Sequence, residues 1–131
     1  MVIYFDTSAF VKLVWQEPES SALWSYISER KDTEHISSRL LVIEARRAAL
    51  RAGGGQLPRV DIALEGIGLV DVSGAVLESA SRVPEPFLRS LDAIHLATAL
   101  LLGQEVDAFV TYDERLATVA AAIGIKVATP R

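Results

Sequence analysis

Apolar and polar residues fall into short blocks along this chain, and the period changes from block to block. Val2–Phe5 is a four-residue apolar run that reads as a buried strand, and it stops abruptly at Asp6. Ser8–Val14 turns directly into a helix. Pro18 is suited to a first helical turn, where Glu17 and Glu19 meet the positive end of the dipole. The stretch SSALWSYISER then sets Leu23, Trp24 and Ile27 at helical spacing. A brief second strand is expected around His35–Ser37, after which Ser37 or Ser38 caps the helix RLLVIEARRAALRA, closed by Gly53–Gly55. Leu40, Leu41, Ile43, Ala48 and Leu50 give that helix a broad apolar face. Glu44 lies one turn beyond Leu40 and Leu41 and so shares the face. An acid there goes against the pattern.

The second half repeats the alternation. Leu57–Ile67 reads as a helix, GLVDVS as a strand, and Ala75–Arg82 as a helix capped by Ser73 and ended by Pro84 and Pro86. Ser90 caps LDAIHLATALLL, which stops at Gly103. DAFVTY is a strand, DERLATVAAAI a helix closed by Gly124, and IKVAT a last short strand. Strands alternating with helices predict an α/β fold with a mainly parallel sheet, in one domain spanning residues 1–131.

Composition narrows the function classes. Half of the 131 residues are hydrophobic, which excludes a disordered chain, yet no apolar run is long enough for a membrane span. No basic stretch precedes the first apolar run, which is also too short for a signal peptide, so a soluble cytoplasmic protein is expected. With no cysteine there is neither a disulfide framework nor a thiolate zinc site. The net charge of −4 argues against a surface built throughout for nucleic acid, unless the acids are gathered in one place.

Four acids stand at element boundaries or on the wrong face: Asp6 after the first strand, Glu44 on its helix, Asp92 at a helix start and Asp113 after AFVTY. Asp92 and Asp113 also have ordinary readings as helix-start residues, stabilised by the dipole and by capping. In a parallel sheet, however, the carboxyl ends of strands and the starts of the following helices share one edge, where ligands bind. Carboxylates crowded there repel unless a cation lies between them, and oxygen donors without cysteine suit Mg²⁺ or Mn²⁺.

The stretches VIYFDTSAFVKL, IEARRA, LRSLDAIHLATA and FVTYDERLATVAAAIGIKVATP, in this order, resemble the successive motifs of PIN-domain proteins, most of all the VapC-type toxins of toxin–antitoxin modules. The resemblance covers nearly the whole chain. It implies a three-layer α/β/α sandwich and a Mg²⁺- or Mn²⁺-dependent endoribonuclease. Asp6, Glu44, Asp92 and Asp113 then correspond to the family's acidic set, with Ser8 and Thr111 as supporting hydroxyls. It further implies a VapB-type antitoxin partner that covers the cleft, an RNA substrate and a homodimer.

Phosphates also need cations on the protein. Arg46, Arg47 and Arg51 share the helix of Glu44, Arg89 and Arg115 stand near Asp92 and Asp113, and Lys12 and Arg39 are further candidates; each can equally be a solvated surface charge. His95, one turn beyond Asp92, is expected to be a packed, hydrogen-bonded histidine rather than a general base. Trp15 and Trp24 are expected in the core or on a partner surface. Two other readings compete. A haloacid-dehalogenase-type phosphatase would need an aspartate where Ser8 stands. A non-catalytic RNA- or protein-binding module would use the acids for a structural cation.

Overall fold

A computed structural model describes all 131 residues. Five strands form one sheet: β1 (Val2–Phe5), β2 (Glu34–Ser38), β3 (Gly68–Val70), β4 (Val106–Val110) and β5 (Val127–Ala128). Their order is β3-β2-β1-β4-β5, and every pairing is parallel. The helices are α1 (Thr7–Val14), α2 (Ser20–Ser28), α3 (Leu40–Arg51), α4 (Leu57–Leu64), α5 (Gly74–Ser81), α6 (Ser90–Leu102) and α7 (Glu114–Ala122).

Strand parity makes the layers. Ile3 and Phe5 of β1 and Ala108 and Val110 of β4 join one apolar cluster with Phe10, Leu23, Leu41, Ala45 and Val60, which places α1 to α4 on that face. Tyr4 and Phe109 point the opposite way and pack with Leu96, Ala99, Leu116 and Ala120 of α6 and α7, while α5 lies against α6. The result is the expected three-layer α/β/α sandwich. β1 is buried on both faces, which explains its unbroken apolar sequence. No helix is long and apolar enough to cross a membrane.

Several local expectations are corrected. Pro18 stands ahead of α2, not in its first turn, and α2 has no side-chain cap. Ser90 is the first residue of α6 and does not cap it; Arg89 holds the cap position. The last strand shrinks to two residues because β5 is an edge that only β4 pairs. On α3 the buried stripe is Leu41, Ala45 and Ala49, whereas Ile43 is 59% exposed. Small alanines at every fourth position let α3 approach its neighbours closely, and that packing outweighs the larger residues. Trp24 is 52% exposed, and Trp15 is half-buried at the core margin.

Candidate active site

The chain runs from β1 to β2 to β3 in one direction across the sheet, then crosses back to lay β4 on the other side of β1. The sheet therefore has its topological switch between β1 and β4, where a crevice opens at the carboxyl edge. A cavity of about 660 Å³ lies there. Asp6, Glu44, Asp92 and Asp113 all line it, with Ser8, His95, Arg47, Arg51 and Arg89. Four acids from α1's cap, α3, α6 and α7's cap thus reach one cavity.

Asp6 is only 3% exposed. It caps α1, taking the Ala9 N–H on Oδ1 at 3.0 Å. The Ser8 hydroxyl donates to the same oxygen at 2.7 Å, and the Thr111 hydroxyl to Oδ2 at 2.6 Å. Burial pushes its carboxyl up from the usual range, against the charge of His95 and these three donors. Thr111 Oγ1 also accepts the Asp113 N–H at 3.1 Å, and Ser8 Oγ accepts the Tyr112 N–H at 2.9 Å. Both hydroxyls therefore tie the end of β1 to the end of β4. Residues near the C-terminus brace that junction: Thr129 donates to the Thr111 carbonyl at 2.9 Å, and the Tyr112 hydroxyl donates to the Pro130 carbonyl at 2.7 Å.

Asp113 caps α7 through Oδ1, and Asp92 lies in the first turn of α6, so the structural readings of both hold alongside their place in the cavity. Arg89 spans them. Its Nε is 3.1 Å from Asp92 Oδ2 and its Nη2 is 3.3 Å from Asp113 Oδ2. Burial still raises the Asp92 carboxyl, assisted by the nearby Asp113 charge and opposed by Arg89. Glu44 behaves differently. Burial pushes it up, but the hydrogen bond and charge of His95 and the Thr7 hydroxyl outweigh that and hold it below its ordinary value. No three acids or imidazoles stand close enough to make a ready ligand shell. The guanidinium on Asp92 and Asp113 supplies the positive charge that lets those two approach.

The basic candidates separate. Arg47 and Arg51 line the cavity with Arg89. Arg46 turns away and pairs with Asp61 of α4 at 3.0 Å. Arg115 donates to the Phe87 carbonyl at 2.9 Å and lines an adjoining hollow, which shares Arg89, Asp92 and Asp113 with the first. Lys12 is held by Glu17 and Glu19, and Arg39 by Asp71. His95 is buried and hydrogen-bonded as expected, yet it also lines the cavity. Thr7, which bonds Glu44, escaped sequence reading altogether, because its partner lies 37 positions away.

A parallel sheet with carboxylates gathered at its switch point defines a class of α/β/α domains that collect acids on one edge. Within that class, the family model of the PIN domain matches residues 3–122. Ribonuclease VapC35 of Mycobacterium tuberculosis is 39% identical over 131 residues, which covers 98% of this chain and 97% of that protein. Ribonuclease VapC46 of the same species is 41% identical over 128 residues, with the same coverage. Among solved structures, VapBC2 from Rickettsia felis, bound to a DNA fragment from its promoter, superposes with a TM-score of 0.79 at 11% identity over the full length of both chains. The M. tuberculosis toxin VapC20, which cleaves the sarcin–ricin loop, gives 0.74 at 18% identity over 98% of this chain and 99% of that one. The chain belongs to the PIN-domain family, and its curated relatives are VapC proteins.

Proposed function

We propose that this protein is a metal-dependent endoribonuclease, the toxin of a VapBC-type toxin–antitoxin pair. The observation that carries the reading is the meeting of Asp6, Glu44, Asp92 and Asp113, from four separate elements, in one cavity at the sheet's switch point. RNA as substrate and a VapB-type antitoxin as partner follow from the VapC relatives, several of which bear the name ribonuclease. A homodimer and a cytoplasmic setting complete the proposal.

The donor set suits a hard divalent cation such as Mg²⁺ or Mn²⁺ in its chemistry, though it is not drawn together as a shell: it is all oxygen, and Asp92 Oδ1 and Glu44 Oε2 take no hydrogen bond from the protein. Asp6, Asp92 and Asp113 would hold the ion, and Glu44 would complete the set or orient water. Such an ion, when bound, activates water and stabilises charge on the phosphoryl group. The chain's own residues do the rest. Ser8, Thr111 and the Ala9 N–H fix both oxygens of Asp6, so its orientation is set before any ligand arrives. Arg47 and Arg51, one turn apart on α3, offer guanidinium groups along one wall for the phosphates flanking the scissile bond. Arg89 reaches the same space from the opposite element and can exchange a carboxylate for a phosphate oxygen. Leu40, Ile43 and Leu91 give that wall an apolar patch for nucleobase or antitoxin side chains.

Incubation of purified protein with an RNA oligonucleotide tests this reading. Cleavage is expected with Mg²⁺ or Mn²⁺, none with EDTA, and none by Asp6→Asn under any condition. Metal-independent cleavage, or cleavage that survives Asp6→Asn, would refute it.

A further inference from the structure

Between the sheet and the cavity lies a chain of polar groups, Tyr4 and His95 buried and Thr7 and Glu44 half-buried, of which the proposed mechanism uses only Glu44. Tyr4, fully buried on the α6 face of β1, places its hydroxyl 2.7 Å from His95 Nδ1. The other ring nitrogen, Nε2, is 2.7 Å from Glu44 Oε1. Thr7 donates to that same oxygen at 2.6 Å.

The Ser38 N–H reaches the Tyr4 oxygen at 3.1 Å and can only donate, and the Ser37 and Thr98 hydroxyls also stand close to that oxygen. At the other end of the imidazole the direction is set: the Glu44 carboxylate can only accept, so the 2.7 Å contact needs a proton on Nε2, directed at Oε1. Tyr4 holds the ring by its far nitrogen, and the ring supplies a donor for the carboxylate. Both donors act on Oε1, which leaves Oε2 as the oxygen without a protein partner.

We infer that His95 is a positioning residue, locked by Tyr4, which pins Oε1 of Glu44 and presents Oε2 to the cavity. The inference rests on the proposed function only in taking Glu44 as part of the working site. His95 touches neither ion nor substrate in this role. It acts through Glu44, and its imidazole could not do so in the other tautomer, whose bare Nε2 would face a carboxylate.

The experiment compares His95→Leu, His95→Gln and Tyr4→Phe with wild type. Gln places an amide N–H close to where Nε2 stands, Leu offers no donor, and Phe removes the hydroxyl that holds the ring at Nδ1. Three quantities are read: RNA cleavage as separate kcat and KM, Mn²⁺ binding without RNA by electron paramagnetic resonance, and thermal unfolding. Loss of a group that orients a ligand typically costs about 10–100-fold in metal affinity or activity. His95→Leu and Tyr4→Phe are expected to lower kcat and weaken Mn²⁺ binding by factors in that range, with KM for RNA within about twofold. His95→Gln is expected to restore most of both. A purely structural histidine would instead lower the unfolding temperature in all three variants with kcat and Mn²⁺ binding unchanged in the folded fraction, and that result overturns the inference. Where His95→Leu fails to fold, Tyr4→Phe decides alone: unchanged kcat and Mn²⁺ binding sink the idea. Mn²⁺ binding is read without RNA, so it tests the positioning even if wild type cuts no RNA and the proposed function itself fails.

Discussion

Asp6→Asn separates a carboxylate's structural work from its ligand work. In the protein without metal, Asp6 is a buried charge with three donors. Asparagine keeps one oxygen for Ala9 N–H and Ser8 but turns an amide N–H₂ toward Thr111, so one charge-assisted hydrogen bond is lost, about 1.5–3 kcal/mol. Against that stands the cost of burying the charge, which is the larger effect here, since it raises the Asp6 carboxyl in spite of its donors. The variant is therefore expected to be as stable as wild type in EDTA, or more so. Metal reverses the order. At a free concentration about 100 times the dissociation constant, binding to the folded state alone stabilises by about 2.7 kcal/mol. With an unfolding entropy of about 2.1 cal/mol/K per residue, this chain's melting temperature should rise by about 10 °C. Circular dichroism melts of wild type and Asp6→Asn, each in EDTA and in saturating Mn²⁺, make the test. Wild type should gain the full shift and Asp6→Asn almost none. An equal metal shift in both would refute the assignment of Asp6 as a ligand. A fall of several kcal/mol for the variant in EDTA would refute the claim that burial of its charge dominates.

Glu44 gives a pH signature of opposite sign. Its carboxyl is held below the ordinary value of 4.5, so its contribution is present above that pH and lost as the pH falls through the lowered value. Urea midpoints for wild type and Glu44→Gln in EDTA should differ most near neutrality and converge in acid; a gap that widens in acid would contradict the pairing with His95. In an Asp6→Asn background, anisotropy titrations of RNA against salt should lose about 0.7 from the log–log slope for each of Arg47→Ala and Arg51→Ala. Arg46→Ala, whose side chain is engaged by Asp61, should leave the slope alone. Leu41→Ala, at a fully buried position against the sheet, should cost about 2–5 kcal/mol in urea unfolding with no special effect on metal binding.

What the sequence made legible was local. An apolar run that ends on an acid, a Ser or Asp ahead of a helical stripe, and glycines after it are signals carried by adjacent residues, and they placed Asp6, Asp92 and Asp113 at the right edge. The alternation of periods predicts the α/β class and its parallel sheet, while the three layers follow from the family resemblance. Glu44 was flagged because it broke a stripe, although the stripe proved to be Leu41, Ala45 and Ala49 rather than the bulkier residues. Alanines carry little hydrophobic weight in a pattern, and their value lies in the close approach they permit. Pairings across the chain left no mark: Arg89 with Asp113 and His95 with Glu44 are 24 and 51 positions apart. The apolar neighbours of His95 on α6 predict a packed, hydrogen-bonded histidine, but not its partners, and its contact with the site emerges from the fold.

The brace behind Asp6 has a consequence for the order in which the chain is made. Asp6 is synthesised well ahead of the hydroxyl that holds its second oxygen, which arrives 105 positions later. The carbonyl of Thr111 and the hydroxyl of Tyr112 are in turn secured only by Thr129 and Pro130. A growing chain thus carries Asp6 and Glu44 long before it carries the geometry that makes them useful. For a protein proposed to cut RNA, this delay has a use: until those residues have emerged, a chain still on the ribosome, surrounded by RNA, has no assembled blade.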